Sequence, residues 1–310
     1  YLTAHGPVIG GVYGQENFDQ EAGIDVPDPY ALSLRWTALE PSCVFCAVWQ
    51  MNLAQNWDEF RKAAEEFAVP SQNLVYADVE GNIGYQMPGH IPIRGNGHNG
   101  MLPAPGWTGS SRWQGYIPFA ELPFILNPPE GYIITANNQV ADPTYPHLIT
   151  QEWSSGFRAQ RIEDLILAAP RPITLESLQE IQGDNYDLLA DELVPRILAL
   201  DFKEEDLRSA QSLLAAWDRQ ADLDSAPAAL YMVFWQSLQD AVFADELPEA
   251  YQVGVESRAK EVIRILLRDP DSTWWDDQTT PELETRDQIL ANTFRDTVHQ
   301  LKRKQGKPED

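Results

Sequence analysis

The sequence predicts an α+β fold in which a strand-rich N-terminal half, residues 1–150, is followed by a helical C-terminal half, residues 151–310. Short apolar runs with branched and aromatic residues, bounded by Gly, Pro and Asp, fill the first half and are typical of strands joined by loops. Apolar residues recur at three- and four-residue spacing through the second half, as in amphipathic helices. Hydrophobic residues make up 43% of the 310 residues, enough to bury a substantial core.

The first half is predicted to begin with short strands and loops over residues 1–51. The spacing of aromatic and alanine residues then predicts a helix over residues 53–68, which ends before Pro70. Residues 73–94 predict a hairpin, because an apolar strand runs into a turn at residues 80–82 and is followed by a return strand.

Residues 94–130 are rich in Gly and Pro, which disfavours long regular elements. Trp107, Trp113 and Tyr116 are interleaved with them, so we predict an ordered wrap over the sheet, held by aromatic contacts. A last strand, residues 132–136, is predicted to close the first half.

Seven helices are predicted after residue 150. Several have good start signals, including Thr174 before the second and either Asp224 or Ser225 before the fifth. One face of the fourth carries Leu207, Leu213, Leu214 and Trp217, which we predict to be core. The predicted ranges are 157–168, 174–183, 188–199, 203–219, 225–245, 253–268 and 283–303.

The charge balance argues against two classes of partner. Net charge is −25, from 47 acidic and 22 basic residues, so neither nucleic acid nor an anionic membrane surface is a favoured partner. No apolar window is long enough to span a membrane, and no intact signal peptide is present. Because the chain does not begin with Met, we expect a processed chain or an excised fragment.

The two cysteines, Cys43 and Cys46, form a single Cys-x-x-Cys. This spacing occurs in redox pairs, in half zinc sites and in small structural disulfides, and the lack of a second pair favours inert or structural cysteines. The five histidines lack metal-ligand spacing, and the usual phosphate, dinucleotide and metalloprotease motifs are missing. We therefore predict no cofactor-binding or metal-binding residues in this chain.

Two residues are candidates for catalysis. The first is Asn137, which with its neighbour Asn138 follows the predicted strand 132–136, where a neutral amide would donate hydrogen bonds to a developing oxyanion without titrating. Arg158 opens a predicted helix after a Trp-Ser-Ser-Gly turn. The structural alternative is a paired Asn turn at 137–138 and an ordinary surface ion pair for Arg158.

Seven ordered segments support a more specific interpretation. Together they resemble the penicillin acylases (penicillin amidases) of the N-terminal nucleophile hydrolase superfamily. The segments are HGPVI at 5–9, VWQMNLAQNWDEF at 48–60, NLVYADVEGNIGY at 73–85, PGHIPIR at 88–94, LPAPGW at 102–107, the Asn pair at 137–138 and WSSGFRAQRI at 153–162.

The resemblance implies part of an αββα architecture and a penicillin acylase-type amidase mechanism. In this family the first residue of the β-subunit, usually Ser, attacks the amide, and its own α-amino group acts as general base. Asn137 would correspond to the side-chain donor of the oxyanion hole. Arg158 would correspond to the arginine that steadies the amino terminus of the nucleophile.

The resemblance also implies that the chain is an internal fragment of the β-subunit, because Tyr1 is not a nucleophile and the family has a Ser-bearing segment before HGPV. The fragment alone is expected to be inactive. Its expected partners are the α-subunit, the rest of the β-subunit and, for the parent enzyme, a small-molecule amide such as a penicillin, an acylated homoserine lactone or a lipopeptide. The parent is expected to be periplasmic or secreted, and a structural calcium ion in the parent stays open, with no ligands assigned here.

Two alternatives remain. The chain could be a non-catalytic interaction module that retains the acylase scaffold. A weaker alternative is a redox protein that uses Cys43 and Cys46.

Overall fold

The computed structural model describes residues 2–9, 31–247 and 257–305. The chain divides into two units, Tyr1–Ser154 and Ser155–Asp310. Among the described residues, the first unit contains three small sheets and two α-helices, and the second contains seven α-helices. All the described strands therefore lie in the first unit and most of the helices in the second, in agreement with the predicted α+β class.

The strands of the first unit are short and pair in antiparallel fashion. A three-stranded sheet has the order β3-β4-β7, and two further pairs are β1 with β2 and β5 with β6. The strands are β1 (Leu2–Thr3), β2 (Gly6–Pro7), β3 (Leu74–Ala77), β4 (Ile83–Gln86), β5 (Pro92–Arg94), β6 (Trp113–Tyr116) and β7 (Phe124–Leu126).

The predicted hairpin is confirmed as β3 and β4, and a carboxylate organises its turn. Oδ1 of Asp78 accepts the backbone N–H groups of Glu80 at 3.0 Å and Asn82 at 2.9 Å. The Asn82 side chain donates to Oδ2 at 2.8 Å, and these bonds hold the pKa of Asp78 below its ordinary value. Gly81 has a φ of 89°, which its missing Cβ permits.

Helix α2 (Trp57–Glu65) packs on the three-stranded sheet through Trp57. The Trp57 ring lies directly over Gly84 of β4, where an added Cβ would lie 2.4 Å from the ring. Its centroid is 5.5 Å from that of Tyr76 on β3. The helix begins later than predicted because the side chain of Asn56 accepts the N–H of Glu59 at 3.0 Å, which caps the helix there.

A helix that was not predicted, α1 (Val44–Leu53), precedes α2, so the prediction of strands and loops is wrong from residue 44 onward. Residues 10–30 of that prediction lie outside the described residues. The apolar residues of α1 misled the prediction because many of them are exposed and do not report burial. Four of them form what we call the α1 stripe: Phe45, Val48, Trp49 and Leu53, which are 75%, 41%, 58% and 58% exposed.

Aromatic contacts hold part of the wrap over residues 94–130. Tyr116 stacks on His90 at 4.7 Å between ring centroids, and Trp113 contacts Tyr116 edge-on at 6.2 Å. Trp107 is 73% exposed, and its pinning role stays a prediction. The wrap also contributes two strands, β6 and β7, to the small sheets.

All seven helices predicted for the second unit are present, with ends that differ by a few residues. The first part of the predicted 253–268 helix lies outside the described residues. The observed helices are α3 (Phe157–Ala168), α4 (Leu175–Gly183), α5 (Leu188–Leu198), α6 (Glu205–Ala215), α7 (Ala226–Phe243), α8 (Ser257–Leu266) and α9 (Arg286–Gln305).

The core of the second unit is centred on α7. Phe234 of α7 and Phe294 of α9 are both fully buried, with ring centroids 6.0 Å apart. Leu207, Leu214 and Trp217 are buried as predicted, but Leu213 is 39% exposed. Adjacent residues lie about 100° apart around a helix, so Leu213 and Leu214 do not share one buried face.

Candidate functional site

Asn137 lies in a segment without regular secondary structure. The predicted strand over residues 132–136 is wrong, since this segment pairs with none of the strands in the described part of the chain. A run of branched and aromatic residues has strand propensity, but a strand exists only with a ladder partner. Asn137 is therefore held by something other than a strand end.

Hydrogen bonds on both sides fix the backbone at Asn137. Its carbonyl oxygen accepts the N–H of Ser154 at 2.9 Å. The preceding residue, Ala136, is buried and donates its N–H to Oδ1 of Asn138 at 3.0 Å. Asn137 itself adopts a left-handed conformation with a φ of 61°, which Asn tolerates better than most residues.

The two amides of the Asn pair differ in role. The Asn138 side chain accepts from Ala136 and donates to the carbonyl of Gln139 at 3.2 Å, so it braces the local backbone. This is the Asn turn that the structural alternative proposed, and it is correct for Asn138. Asn137 is exposed. Asn138 therefore braces the backbone beside Asn137, and Asn137 is the residue predicted to be the oxyanion donor.

Arg158 is the second residue of α3, in the second unit, whereas Asn137 belongs to the first. The predicted helix 157–168 is confirmed, and Arg158 is exposed. A cation in the first turn adds to the positive end of the helix dipole, so this position does not favour helix stability. Phe157 packs against the core, and its ring centroid lies 5.0 Å from the guanidinium carbon of Arg264.

An ion pair that the sequence analysis missed anchors α3. Arg161 donates from Nε and Nη2 to the two carboxylate oxygens of Asp184, at 2.8 and 2.6 Å, and its guanidinium lies 4.2 Å from the Tyr186 ring centroid. The Arg161 hydrogen bonds, helped by one from Gln220, lower the pKa of Asp184 to about 2. This pair holds α3, and with it the backbone of Arg158, against the segment that leads into α5.

The structure shows how the two cysteines pair and how the residue types that can bind metals are arranged. Cys43 and Cys46 form a disulfide at the start of α1, in agreement with the preferred structural role. Within residues 2–9, 31–247 and 257–305, no group of three or more His, Cys, Asp or Glu side chains is arranged to hold a metal ion. None of the helices in those ranges has the length and hydropathy that a membrane crossing requires.

The family model for penicillin amidase matches residues 1–310. The chain belongs to the penicillin amidase family. It is 31% identical to the acyl-homoserine lactone acylase QuiP of Pseudomonas fluorescens over 95% of this chain and 37% of that protein. It is 31% identical to the penicillin acylase 2 proenzyme of Pseudomonas sp. over 78% of this chain and 30% of that protein. The chain therefore spans well under half the length of these curated relatives.

The fold agrees with this membership. A thermostable penicillin G acylase from Alcaligenes faecalis superposes with a TM-score of 0.75 at 22% identity, over 98% of this chain and 57% of that one. The resemblance inferred from the seven segments is therefore confirmed, as is the α+β class of the penicillin G acylase fold. The roles of Asn137 and Arg158 within this penicillin amidase scaffold remain predictions.

Proposed function

We propose that the protein containing this chain hydrolyses a linear amide by acyl transfer to an N-terminal Ser, with Asn137 as a donor to the oxyanion. The observation that supports this most is that Asn137 is an exposed residue on a backbone fixed by hydrogen bonds at Ala136 and Ser154. Preorganised donors stabilise developing charge without reorganisation during the reaction. None of the 310 residues is assigned the role of nucleophile.

Arg158 is proposed to steady the amino terminus of the nucleophile and the oxyanion region. Its guanidinium is a permanent cation with donors in a fixed fork. The Arg161–Asp184 pair lies one helical turn away and fixes α3, so it would serve as a positioning pair for Arg158. A cation in the first turn of a helix is not favoured by the helix dipole, so the dipole does not explain an arginine at this position.

The proposed substrate class is an N-acyl amide. The matched relatives are named for acyl-homoserine lactones and for penicillins, in which an acyl group is attached to a nitrogen beside a lactone or a β-lactam ring. The shared element is the acyl amide bond, and this is the bond that the oxyanion donor at Asn137 would serve. The chain alone is proposed to be inactive, as only Asn137 and Arg158 are assigned in it.

The deciding experiment replaces Asn137 by Asp in the intact protein. Asp has the same shape and tolerates a left-handed backbone, but it has no amide donor. Turnover of penicillin G and of an N-acyl homoserine lactone should fall by about 100- to 1,000-fold, the usual effect of losing an oxyanion donor. Folding, followed by circular dichroism and thermal denaturation, should be unchanged.

Asn127 provides a matched control. It is also an exposed Asn with a left-handed backbone, at a φ of 50°, and its side chain bonds to Ile83 and Asn82 in the small sheet. Asn127→Asp should leave turnover within about threefold of the wild type. Equal activity of Asn137→Asp and wild type would refute the oxyanion role. A folded wild-type protein with no activity on any acyl amide would favour the non-catalytic module instead.

We also propose that further polypeptide of the same protein, the α-subunit or the rest of the β-subunit, covers the α1 stripe. Exposed contiguous apolar side chains such as Phe45 and Trp49 generally mark an interaction surface. A photo-crosslinking residue at position 49 should join α1 to that polypeptide in the intact protein. A crosslinker at the exposed Arg208 of α6 provides the negative control.

Export to the periplasm or the medium is proposed for the parent protein. The Cys43–Cys46 disulfide supports it, because disulfides persist mainly in oxidising compartments. A structural calcium ion in the parent is proposed only with ligands outside the described residues, which contain no metal-binding cluster. Cell fractionation and metal analysis of the purified protein test the two proposals separately.

A further inference from the structure

A cavity of about 470 Å3 in the first unit lies beside strand β5. It is walled by residues near β1 and β2, by the segment around Leu34 and by the wrap between Arg94 and Trp113. Its volume is within the range of small-molecule sites. Asn137 lines neither this cavity nor the smaller cavity beside it. Binding in this cavity is therefore a separate proposal from the amide hydrolysis proposed above.

The charge of this cavity is opposite to that of the chain. Three arginines line it, Arg35, Arg94 and Arg112, and none of its described lining residues is acidic. The whole chain carries 47 acidic and 22 basic residues. Three guanidinium groups around one cavity, with no carboxylate in its described lining, form a local positive field in an otherwise acidic protein.

One of the three arginines is already compensated. Nη2 of Arg35 lies 2.8 Å from Oε1 of Glu40, and its guanidinium lies over the Trp113 ring at 4.9 Å. The other Glu40 oxygen accepts the hydroxyl of Tyr116 at 2.5 Å. Arg35 therefore shapes the wall of the cavity, and the uncompensated charge belongs to the other two arginines.

Arg94 is the central cation. Its guanidinium has no hydrogen bond or ion pair with any residue that the structure describes, although the side chain is partly buried. Gly100 packs against it so closely that an added Cβ would lie 3.0 Å from Nε. Burial lowers the pKa of Arg94, and a guanidinium nevertheless keeps its charge in proteins. A partly desolvated cation without a partner is costly, and an anion would relieve that cost.

Arg94 also lines a second cavity, and the described lining of that cavity contains no carboxylate. A neighbouring cavity of about 280 Å3 shares Arg94 and is lined by His147 and Leu148. His147 is bonded to Glu121 at 2.6 Å, and Glu121 does not line that cavity. The charge of Arg94 is therefore unmatched on both sides within the described lining.

His98 holds the loop beside Arg94. The N–H of Gly100 donates to Nδ1 of His98 at 3.2 Å, and Nε2 lies 2.9 Å from the carbonyl oxygen of Leu102. Both ring nitrogens of His98 are used in these local contacts. Its bonds keep the 98–102 segment, and so the packing of Gly100 on Arg94, in place.

The rest of the lining is mixed. Leu34, Met101, Pro103 and Trp113 form an apolar part of it, and the polar residues are His5, Ser33, His98 and Ser111. An occupant that satisfies both surfaces has one anionic group and an apolar body. A free inorganic anion would satisfy only the arginines.

We propose that this cavity binds a small organic carboxylate, whose carboxyl group is held by Arg94 and Arg112 and whose apolar body lies against Leu34 and Trp113. Guanidinium groups bind carboxylates through paired charge-assisted hydrogen bonds. Arg112 is exposed at the rim, where its side chain is without a partner in the described part of the chain. It lines the same cavity as Arg94 and would add a second guanidinium to the carboxylate.

Calorimetric titration of the intact protein with hexanoate tests this proposal. Hexanoate should bind saturably, while hexanamide, its neutral isostere, should bind at least about tenfold more weakly, because the charge-assisted bonds are lost. Inorganic phosphate should also bind more weakly than hexanoate, because it makes no apolar contact. Equal binding of phosphate and hexanoate would indicate an unspecific anion site and overturn the proposal, and so would a lack of saturable hexanoate binding.

Two substitutions assign the binding to this cavity. Arg94→Met should weaken hexanoate binding by about tenfold or more, and Arg112→Gln, at an exposed position that folding does not need, should weaken it by a smaller factor. Arg208→Met removes the same charge from the exposed surface of α6 and should have no effect. The assignment would be overturned if Arg112→Gln left hexanoate binding unchanged while Arg94→Met and Arg208→Met weakened it equally.

Discussion

Arg161 Nη2 lies 2.6 Å from Oδ1 of Asp184, and Nε of the same guanidinium lies 2.8 Å from Oδ2. This bidentate pair joins α3 to the segment that leads into α5. Asp184 is well shielded, with 10% of its side chain exposed, so the pair is less screened than the surface ion pairs of this chain.

The pair predicts an acid-sensitive contribution to stability. The pKa of Asp184 is lowered from 3.8 to about 2, so its stabilising effect is complete above the ordinary value and is lost as the pH falls from about 4 to about 2. The contribution should be on the order of 2 kcal/mol. Urea denaturation of the wild type and of Asp184→Asn across this range measures it. The variant should be less stable at pH 6 and should lose less stability on acidification, and parallel curves would contradict the assignment.

The left-handed backbone predicts a selective response at residue 137. Asn137→Gly should retain the thermal stability of the wild type, because Gly adopts a φ of 61° without strain. Asn137→Val should lose about 1 to 2 kcal/mol, because a β-branched side chain is strained there. Thermal denaturation separates this effect from catalysis. Identical melting temperatures for the two variants would show that the local backbone relaxes.

The contact of Trp57 with Gly84 predicts a large effect from one methyl group. Gly84→Ala should destabilise the protein by about 1 to 3 kcal/mol, because the new Cβ meets a buried ring. Trp57→Leu should remove part of the penalty, and a double-mutant cycle would measure the coupling. Gly183→Ala is the control. Gly183 lies at the end of α4, where an added Cβ would have no atom of another part of the chain within 4 Å, so the substitution should be neutral or slightly stabilising.

The disulfide predicts a modest structural effect and no redox activity. It closes a loop of only a few residues, so replacing Cys43 and Cys46 by Ser should cost about 2 kcal/mol at most. Acyl-amide turnover should be unchanged. Mass spectrometry after alkylation should show no labelled thiol before reduction. Efficient catalysis of insulin reduction by the wild type, lost in the double variant, would support the redox alternative instead.

Local signals made the helices of the second unit predictable. Thr174 was identified as a start signal, and its hydroxyl accepts the N–H of Ser177 at 3.2 Å. Ser225 was another, and its hydroxyl accepts the N–H of Ala228 at 3.3 Å. A capping residue and the N–H group that it accepts lie within one helical turn, so the interaction can be predicted from residues close together in the sequence.

The errors in the first unit have a different physical cause. Residues 132–136 have strand composition, but strand formation depends on a partner distant in sequence. Residues 44–51 were predicted as strands and loops, whereas they belong to helix α1, where Phe45 and Trp49 lie on the surface. The Arg161–Asp184 pair was missed for a similar reason, because its members are 23 residues apart, and the segment 153–162 that contains Arg161 does not indicate its partner. The position after residues 132–136 marked the Asn pair as a candidate, but only the ordered segments selected Asn137 over Asn138, which has the same residue type.

The α1 stripe has a practical consequence for anyone who purifies this chain. Phe45, Trp49 and Leu53 expose apolar surface to solvent. The isolated polypeptide should therefore enhance the fluorescence of an apolar dye, be retained on a phenyl column and self-associate as it is concentrated. Mild detergent, or serine at positions 45 and 49, should keep it monodisperse.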